Sequence, residues 1–192
     1  LTSVRAALGA FNVSEECMAL IDISTAFLQT DQYDESVVKY VKLKDPLGSG
    51  ETLYFRQLGS LYGERSAPVL WERTISTWIV EQGFVQGKND PCCFYHPARR
   101  FRLTLYVDDL KLISTKANIL WLHTLLADRF ETRELVWIEP GVTEDYLGME
   151  ISMDFHRNVF VSMQEYSLKL VQYMETEMIH SVGLICNTCS IC

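Results

Sequence analysis

Apolar residues in this chain recur in two alternating regimes, one with the period of a strand and one with the period of a helix. Residues 17 to 23 form an almost unbroken apolar run with one acid near its end, which predicts a buried strand finishing at Asp22. Val37 to Leu43 and Leu53 to Leu58 predict two more strands, joined by the turn-rich stretch Asp45 to Gly50. From 66 to 82 the period changes. Trp71, Ile75, Trp78 and Ile79 fall on one helical face, with Ser66 placed to cap the start, Pro68 tolerated in the first turn and Gly83 to stop it. That stripe reads as core. Further on, Leu103, Leu105 and Val107 alternate with Thr104 and Tyr106, and Leu110 and Leu112 answer them beyond Asp108 and Asp109. This predicts a hairpin with the two acids at its tip. A helix is expected from about Asn118 to Phe130, and a second hairpin from Tyr146–Met153 with Asn158–Val161. The spacing Ser162-x-x-Glu165 then reads as a capping box opening a last helix through Tyr166, Leu170 and Met178.

The order strand, hairpin, helix, strand, two acids, strand, helix, hairpin, helix predicts an α+β domain. Helices should cover one face of an antiparallel sheet and leave the other open to a substrate. Asp22 and the hairpin tip can then meet on adjacent central strands. A length of 192 residues with 48% hydrophobic content supports one well-cored domain, expected over 1–178, with a divergent cysteine-bearing tail at 179–192. No apolar run approaches membrane-spanning length, so no membrane partner is expected. The chain opens at Leu1 rather than Met, as expected of a processed product or a fragment.

Charge complicates the picture. The net charge of −8 runs against nucleic-acid binding by this piece alone, and most of the acids read as a solvated face. The bases are localised: Lys39, Lys42 and Lys44, then Arg99, Arg100 and Arg102. Of six cysteines, Cys186, Cys189 and Cys192 have the spacing of a metal-ligand run, but a fourth ligand is missing unless His180 or a partner supplies it. Reduced cysteines in a frayed tail are the favoured reading.

The candidate chemistry lies with Asp22, Asp108 and Asp109. Two carboxylates about 4 Å apart repel by roughly 4 kcal/mol at an effective dielectric near 20. Converging acids therefore protonate, separate or hold a cation, and oxygen ligands favour Mg²⁺ or Mn²⁺. Asp-Asp is also a poor hairpin turn, which needs positive φ and favours glycine. A polar hairpin tip and a strand-end acid remain the alternative, and from spacing alone both readings stand open.

Four ordered blocks carry a resemblance. They are residues 21–28, with Asp22, Thr25, Ala26, Phe27 and Leu28; Ser60-Leu61-Tyr62-Gly63 with Ala67, Pro68 and Trp71; Asp90-Pro91-Cys92 and Phe94-Tyr95, followed by Tyr106-Val107-Asp108-Asp109; and Tyr146-Leu147-Gly148-Met149-Glu150-Ile151. Together they resemble the reverse transcriptase of copia-type long-terminal-repeat retrotransposons. The resemblance implies a polymerase palm with a partial fingers region and a primer-grip hairpin. It makes Asp22, Asp108 and Asp109 the catalytic triad, with the Ile23 carbonyl as a further ligand to two Mg²⁺ or Mn²⁺ ions. It places Thr25, Ala26, Phe27, Tyr62 and Gly63 at the nucleotide, Phe27 as the gate against a 2′-hydroxyl, and Leu147, Gly148 and Met149 on the primer. It implies an RNA template, a DNA primer, dNTP and the remainder of a Pol polyprotein (RNase H, integrase) as partners, in the cytoplasm within a virus-like particle or in the nucleus. Residues 63–68 depart from the family pattern, with Glu64 replacing an apolar residue and Ser66 a polar amide. An inactive retroelement remnant, or a domesticated binding module built on the same sheet, is the alternative function.

Overall fold

The apolar run at 17–23 forms a central strand because it can bury both of its faces. A computed structural model gives the structure and describes residues 8–11, 15–31, 38–45, 48 and 50–175. His180 and the three tail cysteines, Cys186, Cys189 and Cys192, lie outside the described residues. The strands are β1 (Cys17–Asp22), β2 (Tyr40–Lys44), β3 (Thr52–Arg56), β4 (Val85–Gln86), β5 (Cys93–His96), β6 (Phe101–Tyr106), β7 (Asp109–Ser114), β8 (Val136–Ile138), β9 (Thr143–Tyr146), β10 (Met149–Met153) and β11 (Val159–Ser162). The helices are α1 (Ala67–Glu81), α2 (Lys116–Arg129) and α3, seen over 164–175. A 3-10 turn spans Ala26–Gln29. Among the described residues no helix is long and apolar enough to cross a membrane.

The chain divides into two compact units, Leu1–Trp137 and Ile138–Cys192. The main sheet has the order β4-β5-β6-β7-β1-β8, with β2–β3 a separate two-stranded ribbon. Within the first unit, both helices pack on one face of the sheet. Ala19 and Ile21 of β1, Leu103 and Leu105 of β6, and Leu110 and Leu112 of β7 meet Trp71, Ile75 and Ile79 of α1 and Ile119, Leu122 and Leu126 of α2 in one buried cluster. This is the α+β arrangement expected from the pattern. Strands β4, β5 and β8 were not predicted; at two to four residues each, they are too short to show a period.

Local details differ from expectation for identifiable reasons. Ser66 sits in helical backbone and makes no side-chain cap, so Pro68 near the start carries the N-terminal signal alone. In α2 the cap is Thr115, whose hydroxyl accepts from Asn118 N–H. The expected capping box is half made: Ser162 Oγ accepts from Gln164 N–H, while Glu165 turns outward to Lys169 at 2.7 Å. The second unit is a three-stranded sheet, β11-β10-β9. The run 146–153, expected as one strand, breaks at Leu147 and Gly148. Both have positive φ and close a two-residue hairpin between Tyr146 and Met149. Met149 therefore opens β10, buried, rather than lying in the turn.

The sheet face away from the helices is not open as expected. Met18, Thr104, Lys111 and Ile113 alternate onto that face, and all are buried. Burying a lysine there disfavours its charged form and lowers its pKa from 10.5 to about 8, against a smaller upward pull from Cys93. Between those two values the unfolded chain still binds a proton that the folded chain has released. Stability therefore rises with pH across that window, and the penalty is complete below it. Lys111→Met is expected to raise stability at pH 7 by up to about 3 kcal/mol. Thermal melts should show this gain shrinking as pH rises from 8 towards 10.5.

Candidate active site

Register brings the distant acids together. β1 pairs antiparallel with β7 so that Asp22 lies directly opposite Asp109. One step beyond, Ile23 N–H donates to Asp108 O at 2.9 Å. That bond makes Asp22–Asp109 a non-hydrogen-bonded pair, the kind whose side chains stand closest on an antiparallel sheet. Both carboxylates alternate onto the helix-free face, at its partly exposed end.

The hairpin tip is shifted by one residue from the expected Asp108-Asp109. Tyr106 pairs with Asp109, so the turn is Val107-Asp108 and Asp109 already belongs to β7. Val107 takes φ 55, a left-handed conformation that a β-branched residue rarely adopts. Strain of this kind costs on the order of 1–3 kcal/mol and persists only where neighbours fix it. Here the neighbour is Trp71. Its indole Nε1–H donates to Val107 O at 2.7 Å, while its ring stacks edge-on against Phe130 at 5.5 Å. The core stripe of α1 thus reaches through to the carboxylate turn.

A second clamp comes from the segment after α2. Arg133 N–H donates to Asp22 O and Ser24 N–H to Glu131 O, both at 2.9 Å, around an antiparallel bridge between Ile23 and Thr132. In such a bridge the N–H and C=O of Ile23 point away from Thr132, to the side where Asp108 lies. Gln29 ties the same segment down, donating to Ser24 O and Glu131 O and accepting from Glu131 N–H. The bridge also delivers a guanidinium: Arg133 Nε lies 3.0 Å from Asp22 Oδ1. Among the described residues no three acid, histidine or cysteine side chains converge closely enough to hold an ion. The oxygen-only set of Asp22, Asp108, Asp109 and the Ile23 carbonyl suits Mg²⁺ or Mn²⁺ in chemistry, with Asp22 turned to Arg133.

The remaining predicted residues of the first unit form a second cluster. Thr25 adopts left-handed backbone and starts the 3-10 turn, with Leu28 N–H donating to Thr25 O. Ala26 is buried. The Phe27 and Tyr62 rings lie 5.0 Å apart and tilted. What holds them is a buried latch. Thr30 Oγ1 donates to Ser60 Oγ at 3.0 Å and accepts from Ser60 N–H at 2.8 Å. Gly59 permits the approach, since a Cβ there would overlap the Leu28 carbonyl. Gly63 has φ 91 and open space around it. Glu64, a departure from the family pattern, serves as a strut. It accepts from Gln57 Nε2 and Leu61 N–H and lies 3.5 Å from Lys39. The bond from Gln57, aided by Leu61 and Lys39, holds its carboxyl below the ordinary range despite some burial.

A family model described as reverse transcriptase (RNA-dependent DNA polymerase) matches residues 1–189. The chain belongs to this family. The retrovirus-related Pol polyprotein from transposon TNT 1-94 of Nicotiana tabacum is 26% identical over 90% of this chain and 13% of its own length. That from transposon RE2 of Arabidopsis thaliana is 28% identical over 88% of this chain and 11% of its own. The chain therefore spans only about an eighth of those relatives. A telomerase from Candida tropicalis overlays with a TM-score of 0.48 and 13% identity, across 77% of this chain and 35% of that one. The resemblance drawn from the four sequence blocks is borne out, and the architecture is α+β with antiparallel sheets, as expected.

Arg133, Gln29, Thr30 and the indole N–H of Trp71 carry roles that sequence reading missed. Arg133 and Gln29 fall in no motif, and Trp71 was legible only as core. Trp71→Phe keeps the stacking ring and loses the bond to Val107. It is expected to destabilise the protein by about 1–3 kcal/mol, because the strained turn loses the donor that holds it and the smaller ring leaves a space in the core. Amide exchange at Val107–Asp109 should accelerate more than the global change in stability explains.

Proposed function

We propose that the chain is the polymerase-bearing part of a retroelement Pol product. On this reading it catalyses RNA-directed DNA synthesis, transferring nucleotides from dNTP to a DNA primer 3′-hydroxyl on an RNA template. The observation that carries the reading is the pairing of Asp22 with Asp109 across β1 and β7, beside the Ile23–Asp108 bond. Asp22 and Asp108, with Asp109 and the Ile23 carbonyl as further oxygen donors, would hold two Mg²⁺ or Mn²⁺ ions. Such ions, when bound, lower the pKa of the attacking hydroxyl and neutralise charge on the triphosphate.

The chain's own residues supply the positioning. Thr25 in left-handed backbone followed by the 3-10 turn aligns successive N–H groups into an anion-binding nest, suited to a triphosphate. Phe27, braced against Tyr62, forms an aromatic wall that a ribose 2′-hydroxyl would strike and a deoxyribose would clear. Gly63 lets nucleotide and backbone approach closely. The Leu147-Gly148 turn contributes a primer contact, with Met149 buried beneath it as support. RNase H and integrase would come from the remainder of the polyprotein.

The Arg133–Asp22 pair favours the second reading, a non-catalytic remnant whose carboxylate stays occupied by its own cation. Primer extension separates the two. Mg²⁺- or Mn²⁺-dependent dNTP addition on an RNA template, abolished by Asp108→Asn, supports the polymerase; a well-folded protein that incorporates nothing under either metal overturns it. Metal titration tests the role of Arg133. Exposed ion pairs contribute about 0.2–1 kcal/mol, so Arg133→Gln should tighten Mn²⁺ binding by up to about five-fold, read by the loss of free-Mn²⁺ electron paramagnetic resonance. Asp22→Asn should weaken it.

A further inference from the structure

Residues 85–104 fold back on themselves twice, and register sorts their side chains by face. Tyr95 pairs with Val85 on one side and Arg102 on the other, and Cys93 pairs with Thr104. Cross-strand partners share a face, and the alternating Phe94 and Leu103 belong to the helix-packed core. These five side chains therefore stand on the helix-free face, at the β4 edge of the sheet. The turn 87–90 rises beside them and is held by its own bonds. Gly87 N–H donates to Cys93 O at 2.7 Å, and Cys92 N–H donates to Asp90 Oδ1 at 2.9 Å. Only glycine fits there, since a Cβ on Gly87 would lie 2.6 Å from the Asp90 carbonyl oxygen. Turn and strands line a preformed cavity of about 470 Å³, the size of a small-molecule site.

The lining combines an apolar floor with unmet donors. Val85 is 60% and Tyr95 44% exposed, so a flat aliphatic and aromatic surface faces solvent. Arg102 gives its terminal nitrogens to Ala10 O and Glu16, but its buried Nε–H has no acceptor. A buried donor left unmet is unfavourable, and an incoming acceptor relieves it. Lys88 is exposed and enters no ion pair among the described residues. Asp90 is the one acid of the lining, and its Oδ1 already accepts from Cys92 N–H. From this cavity we infer a binding site for a small aromatic carboxylate. Its ring lies on Tyr95 and Val85, and its two oxygens accept from Arg102 Nε–H and the Lys88 ammonium. Two donors match a carboxylate, whereas a phosphate monoester brings three terminal oxygens. The site is separate from the paired acids. Tyr106, the residue opposite Asp109, lies four residues beyond Arg102, about 13 Å along β6. The inference stands independently of the polymerase reading.

The test is titration of the isotope-labelled full chain with indole-3-carboxylate, followed by backbone amide shifts. Wild type is expected to bind with a Kd on the order of 1 mM or tighter, with the shifts concentrated at 85–95 and 102–104. Indole and acetate, each lacking part of the ligand, should bind at least about tenfold more weakly. Lys88→Gln and Tyr95→Ala alter exposed side chains, and each should weaken binding about five-fold or more. Lys42→Gln, the charge control, should bind as wild type does. Circular dichroism melts show that each variant is folded. The inference is overturned if indole-3-carboxylate shifts none of these amides up to about 10 mM, or if Lys88→Gln and Tyr95→Ala bind it as tightly as wild type. It is overturned equally if phenyl phosphate or adenosine 5′-monophosphate binds more tightly than the carboxylate. Primer extension is a separate readout: a chain that fails it yet binds indole-3-carboxylate loses the polymerase reading and keeps this site.

Discussion

The antiparallel register of β1 against β7 is the constraint on which the rest depends. Side chains alternate with period two, so a slip of one residue would carry Asp22 into the helix-packed core and turn Ile21 and Ile23 away from it. Burial of Ala19, Ile21, Leu110 and Leu112 against the helices therefore fixes where the carboxylates stand. The chemistry is specified by apolar residues that take no part in it. Trp71 applies the same logic at the turn: a core residue on its ring, a hydrogen-bond donor at its edge.

Much of this was legible in the sequence, and the rest was hidden for physical reasons. Long periodic elements such as α1, α2, β1, β6 and β7 emerged because burying one face imposes a period over many residues. The hairpin tip was displaced by one residue because a turn at Val107 is permitted by contacts distant in sequence, not by local propensity. Strands β4, β5 and β8 left no signal because two to four residues cannot establish alternation. The helix-free face was expected to lie open, and its burial at Met18, Lys111 and Ile113 could not be read from a strand in which apolar residues face both ways.

At the candidate site, motif residues were visible and their supports were not. Asp22, Phe27, Tyr62 and Gly63 stand in recognisable blocks. Thr30, Gln29 and Arg133 matter only through partners elsewhere in the sequence, so no local window shows them. Glu64 illustrates the converse. Against the family pattern it reads as a defect, yet its carboxylate satisfies a backbone donor and an amide that would otherwise lack this acceptor.

The Thr30–Ser60 latch has a mechanical consequence. It fastens the segment bearing Phe27 to the segment bearing Tyr62 through one hydroxyl that gives and receives, at a point where Gly59 admits no spacer. Two segments joined in this way must travel as one piece. The paired rings then behave as a single rigid wall, and any movement beside them has to come from other elements.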